Sequence, residues 1–209
     1  MSSPPLSLDE AAELTRTGDV WLFRGSTFAD RTIRTLTNSP VNHVGMAVVI
    51  EDLPPLMWHA ELGKSLPDMW TGKRQRGVQL HDLRAAVTTW NVRYGARAWL
   101  RQLVPEASAA MDDAVLTTIA RLDGAPFPST WKLAKSWVSG RFRFHRDVET
   151  VYCAEVVALT YQAMGLLPAH RPQNWYDPGK FWSGDGLALQ EGATLGPEIA
   201  VAPETGPAG

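Results

Sequence analysis

The chain has 209 residues, of which 44% are hydrophobic and 20% charged, with a formal net charge of -2. That suffices for one domain with a substantial core and excludes a global field that recruits nucleic acid or an anionic membrane. No run approaches ~18 consecutive apolar residues, which excludes a transmembrane helix.

The first residues, Met1 to Leu6, have neither the basic nor the apolar region of a secretory signal. Leu8 to Thr15 reads as a helix, with Ser7 as N-cap and Glu10 as its capping-box partner. Val20 to Phe23 is a brief strand, and Thr27 to Thr37 is predicted as a second helix, broken at Asn38-Ser39-Pro40. Val41 to Ile50 is valine-rich and proline-free inside, a strong strand signal, and Leu56 to Glu61 returns as its antiparallel partner. Lys64 to Gly77 is polar and reads as a surface excursion. Val78 to Leu83 and Thr89 to Tyr94 are predicted to extend the sheet. Pro105 to Leu122 has helical spacing and ends at Gly124. Phe127 to Phe144 is aromatic and basic, and Trp131, Trp137, Phe142 and Phe144 there read as core, or as the wall of a lipid or peptide groove. A helix follows from about Val151 to Gly165, and Pro172 to Gly186 is loop-like. Residues 1–190 form a single domain, and 191–209, rich in Gly, Pro, Ala and Glu, is expected to be a largely irregular or disordered tail. The nine tryptophans read as packing and loop anchors.

Cys153 is the single cysteine. It has no internal disulfide partner, which fits a reducing compartment and an expected cytoplasmic location. Cys153, Val156, Val157, Thr160, Tyr161 and Met164 form one helical stripe. Cys153 is expected in the first turn, where unpaired amides and the helix dipole favour a thiolate and could hold an oxyanion. His43 starts the long strand and shares a face with Gly45, Ala47 and Val49. The small residues beside it would admit a helix carrying the thiol. If the hairpin closes about Leu53, Ala47 pairs with His59 and Gly45 with Glu61. Either polar residue then lies on the face of His43 and can orient its imidazole. A lone buried cysteine is more often inert, so it is the combination that points to nucleophilic catalysis. His59, Glu61, His81 and Asp82 show no HExxH or paired-cysteine spacing, so no metal and no cofactor is expected. Asp112-Asp113 reads as a solvated helix face, and Lys73, Arg74 and Arg76 as a surface loop.

Three segments, Gly18-Asp19-Val20-Trp21-Leu22, Ser39-Pro40-Val41-Asn42-His43-Val44-Gly45-Met46 and Tyr152-Cys153-Ala154-Glu155-Val156-Val157, resemble the circularly permuted papain-fold hydrolases. This is the permuted NlpC-type group with its YiiX-like members, related to the lecithin:retinol acyltransferase-like proteins. Gly77-Val78 and Asp177-Pro178-Gly179-Lys180-Phe181 add to the likeness, which spans roughly residues 18 to 182. The strand histidine precedes the helix cysteine, as in that group. The resemblance implies an α+β, papain-like fold in which an antiparallel sheet packs against the cysteine-bearing helix. It implies Cys153 as nucleophile and His43 as base. At the third position the group commonly has Glu-Ala where this chain has His59-Ala60, so His59 takes that place, with Glu61 as the alternative.

The implied activity is that of a bacterial cysteine hydrolase, a peptidase or amidase or a lipid esterase or thioesterase, working through an acyl-enzyme. Its substrates would be a small peptide, a cell-wall fragment or a lipid acyl group. The alternatives are an acyltransferase on lipid substrates and a non-catalytic binding module that retains the fold.

Overall fold

A computed structural model describes residues 4–25, 39–61, 63–125 and 147–202, and for 147–151 the backbone alone. The predicted helix at Thr27 to Thr37 and the aromatic stretch Phe127 to Phe144 lie outside the described residues.

The fold is mixed α+β. In chain order it comprises α1 (Leu8–Leu14), β1 (Val20–Arg24), β2 (His43–Val48), β3 (Leu56–Glu61), β4 (Gly77–Asp82), α2 (Leu83–Tyr94), β5 (Arg97–Arg101), β6 (Leu103–Val104), α3 (Ala109–Leu122), α4 (Asp147–Ala163), β7 (Thr194–Leu195) and β8 (Ile199–Val201). Six strands form one sheet in the order β4-β3-β2-β1-β5-β8, and β6 pairs with β7 in a second, two-stranded sheet. All of these strand pairings are antiparallel. Among the described residues, no helix is long and apolar enough to cross a membrane.

α1 begins at the predicted capping box: Ser7 Oγ accepts the Glu10 amide, and the Glu10 carboxylate accepts the Ser7 amide at 2.8 Å. This satisfies two amides that the first turn leaves unpaired. Thr89 to Tyr94, read from sequence as strand, is instead the second half of α2. Asp82 caps that helix by accepting the Ala85 amide at 2.7 Å, and Gly95 closes it at φ 59°. Leu83, Ala86, Val87 and Trp90 are buried along one side, at a helical spacing that outweighs the β-propensity of Val92 and Tyr94. The strand that follows, β5, pairs with β1 and was not foreseen. β7 and β8 lie in the stretch read as an irregular tail. β8 pairs with β5, and buried Arg101 pins the same region by donating to the carbonyls of Phe181, Leu195 and Gly196.

Two layers cover the sheet. On one face Val44, Met46, Val48, Trp58, Ala60, Val78 and Leu80 pack with α4, α3 and Phe181. On the other, Trp21, Phe23, Ala47 and Met57 pack with α1 and α2. Both sheet edges are occupied. At β4, Val78 donates to Ala125 and accepts from Gly124, while Leu80 accepts from Met69 and donates to the Asp68 carboxylate. At β8, Leu6 donates to Ala200 and accepts from Ala202.

Candidate functional site

β2 and β3 pair with Ala47 opposite Met57, not opposite His59. The hairpin thus closes one residue earlier than the symmetric reading about Leu53, through a turn in which Asp52 takes φ 68°. Each pairing moves by two positions, which preserves the face because side chains alternate with period two. His43, His59 and Met57 therefore share one side, as expected. Gly45 serves a different neighbour than expected: a side chain there would collide with the Met57 sulfur. Its small size thus makes room for the adjacent strand, not for a helix that carries the thiol.

β4 then adds a histidine the sequence reading had set aside. Met57 pairs with His81 and His59 with Gln79, so His81 and Gln79 join the same face. The three imidazoles form a chain: His43 Nε2 lies 3.3 Å from His59 Nδ1, and His59 Nε2 lies 3.0 Å from His81 Nδ1. Trp90 of α2 meets His43 and His59 edge-on, at 4.9 Å between ring centroids in each case, and itself packs edge-on against Phe23 at 4.6 Å. His59 and His81 are fully buried and His43 is half-buried at the strand end.

Burial sets the charge state of this row. It lowers His43 from 6.5 to about 4. It also lowers His81 to about 4, against a smaller opposing effect from Asp68. His59 is held well below 6.5, by burial first and then by its two histidine neighbours. All three rings are therefore neutral near pH 7, each offering one donor and one acceptor nitrogen. His81 Nε2 and both side-chain polar atoms of Gln79 are buried with no hydrogen-bond partner.

No family model matches the chain, and no curated protein matches it. Several solved structures are similar to the chain. One of them is the crystal structure of the metalloprotein YiiX from Escherichia coli O157:H7, DUF1105, which shares 18% identity and a TM-score of 0.49, covering 91% of this chain and 98% of that chain.

Glu61, the alternative third residue, is buried and turns elsewhere: its carboxylate accepts the Ser65 hydroxyl at 2.8 Å. His59, not Glu61, makes the contact with His43. Glu61 nonetheless stays close to the histidines, since donor atoms of His59, Glu61 and His81 all lie within 4.8 Å of one another.

Cys153 lies in the other layer. The stripe predicted on its helix is buried as expected, with Cys153, Val156, Val157, Thr160 and Tyr161 all inside. That stripe packs against Val44, Met46, Trp58 and Ala60, the face opposite to His43, His59 and His81. A hydrogen bond fixes the packing: Trp58 Nε1 donates to Thr160 Oγ1 at 3.0 Å, and Thr160 in turn donates to the Val156 carbonyl. The helix also starts earlier than expected. It runs from Asp147, so Cys153 is its seventh residue and lies beyond the first turn. The amide of Cys153 thus falls inside the intrahelical ladder rather than among the unpaired first four.

Proposed function

We propose that this chain performs thiol-dependent acyl chemistry, hydrolysing an amide, ester or thioester bond in a peptide, wall fragment or lipid acyl substrate. Cys153 is the nucleophile, His43 the base and His59 the residue that orients it. The observation that carries this reading is the 3.3 Å contact between His43 Nε2 and His59 Nδ1. A base needs a fixed ring with one nitrogen committed and the other open. With Nε2–H of His43 donating to His59 and Nε2–H of His59 donating to His81, the lone pair of His43 Nδ1 is left for the thiol proton. The thiolate then attacks the carbonyl carbon, and the imidazolium returns its proton to the leaving group. Water hydrolyses the acyl-enzyme in the second half. His43 opens the strand and keeps part of its surface, so the end of β2 is where thiol and ring have to meet. Their separation into two layers means that substrate binding or a shift at the helix start has to complete that contact.

The test is Cys153→Ala against a panel of acyl-type electrophilic probes and matched substrates. Turnover should fall roughly 10⁴-fold or more, the scale of losing a nucleophile, with the wild-type adduct mass localised to Cys153. Equal turnover in the two proteins would sink the mechanism. The second reading is a non-catalytic binding module, favoured by the burial of Cys153 opposite the histidines. Under that reading iodoacetamide labels Cys153 no faster than a model thiol at pH 6, and no probe adduct forms.

A further inference from the structure

His59 and Glu61 of β3 and Gln79 and His81 of β4 share one buried face of the sheet. From their placement we infer that His59, Glu61 and His81 form a binding site for a divalent transition metal of the zinc class. The two nitrogens that face each other, His59 Nε2 and His81 Nδ1, are 3.0 Å apart. Two imidazole nitrogens on one tetrahedral Zn²⁺ stand about 3.3 Å apart, given bonds of about 2.0–2.1 Å. A metal can therefore replace the proton these rings share with only a small adjustment. Glu61 brings a carboxylate whose donor oxygen lies within 4.8 Å of both histidine donors, completing a two-histidine, one-carboxylate set of the kind zinc accepts. The Ser65 hydroxyl donated to Glu61 is the outer contact that fixes such a carboxylate.

An independent observation points the same way. Gln79, the cross-strand partner of His59, is fully buried on this face, with its carbonyl oxygen and amide nitrogen both unpartnered. A buried amide left without partners is destabilising, because its desolvation is not offset. Coordination of its oxygen as a fourth donor relieves part of that cost. The carboxylate cancels one of the ion's two charges, and the lone pairs of the two neutral imidazoles replace water around the remaining one in a dry site.

Occupancy also has a consequence for the acyl chemistry, and this part rests on that reading. A metal on His59 Nε2 obliges His59 to carry its proton on Nδ1 and donate it to His43 Nε2. His43 then carries its own proton on Nδ1 and presents no lone pair to the thiol. The ring protons are conserved in number, and only their positions change. Zinc thus switches the base off.

The full chain is titrated with Zn²⁺ against a chromophoric chelator, and with Co²⁺ for its visible d–d bands. The expected result is one metal per chain, a four- or five-coordinate Co²⁺ spectrum, and a melting temperature raised by Zn²⁺. His81→Gln and Glu61→Gln should each weaken binding about tenfold or more. Less than stoichiometric binding in the folded wild type overturns the proposal, as does unchanged affinity in both variants. Should a variant not fold, the wild-type stoichiometry and Co²⁺ spectrum decide alone. Stoichiometric binding with unimpaired turnover upholds the site and overturns the zinc switch, whereas failure of the acyl chemistry leaves the binding result standing.

Discussion

The two faces of the sheet are built on opposite plans. The face under α4 is apolar, and its buried tryptophan N–H is answered by Thr160, whose own hydrogen goes to Val156. The face under α2 carries three imidazoles, a carboxylate and an amide, with several of their polar atoms unanswered. A buried polar group without a partner costs stability. The difference teaches that the unanswered polar groups concentrate on the histidine face, while the face that carries Cys153 is closed by apolar packing; the proposed chemistry draws on both.

The strongest way to break this comparison is to remove what covers the histidines. Trp90→Ala should destabilise the protein by about 3–5 kcal/mol in urea unfolding, the usual cost of deleting a buried aromatic. A loss below about 1 kcal/mol would show that the histidine face is not sealed by α2.

Next is pH. The unfolded chain protonates His81 near 6.5, whereas the folded chain resists until about 4. The unfolded state therefore binds the extra proton between those values, and stability, complete above about 6.5, is lost as pH falls toward 4. The full displacement is worth roughly 3 kcal/mol for His81. Asp19 and Asp123, pushed up to about 6 mainly by burial, act in the opposite sense, holding protons in the folded state that the unfolded state releases. The histidine part is isolated by comparison: His81→Gln should lower the slope of stability against pH by about 1.4 kcal/mol per pH unit between pH 4.5 and 6. Parallel curves for the two proteins would refute it.

The smallest effect belongs to the cysteine-bearing face. Thr160→Val keeps the shape but leaves the Trp58 N–H without its acceptor, and should cost about 1–3 kcal/mol. A neutral result would mean that this face tolerates unpaired polar groups as the other does.

Much of this was legible from residues alone. Ser7 and Glu10 announced α1, the bounds of β3 were read correctly, and alternation put His43 and His59 on one face even though the register was off by two. What escaped the reading depended on neighbours distant in sequence. Valine, tyrosine and tryptophan near residue 90 carry β-propensity, and only the Asp82 cap, Gly95 and the packing of Trp90 made that segment helical. Which face α4 covers was not readable, because β2 and β3 bury residues on both sides. The donor residues His59, Glu61 and His81 were visible in the sequence, but their convergence was not. Motif spacings describe ligands on one element, whereas His59 and His81 meet through the pairing of two strands.

The occupied edges of the sheet bear on how the protein behaves in concentrated solution. At β4 the outward amides and carbonyls of Val78 and Leu80 are all taken, and at β8 Leu6 is already seated. A second molecule seeking to extend the sheet finds no open ladder on these groups. Fibril growth by strand donation therefore requires the Gly124–Ala125 and Asp68–Met69 straps on β4, or the Leu6 segment on β8, to detach first, which makes these straps the guards of colloidal stability.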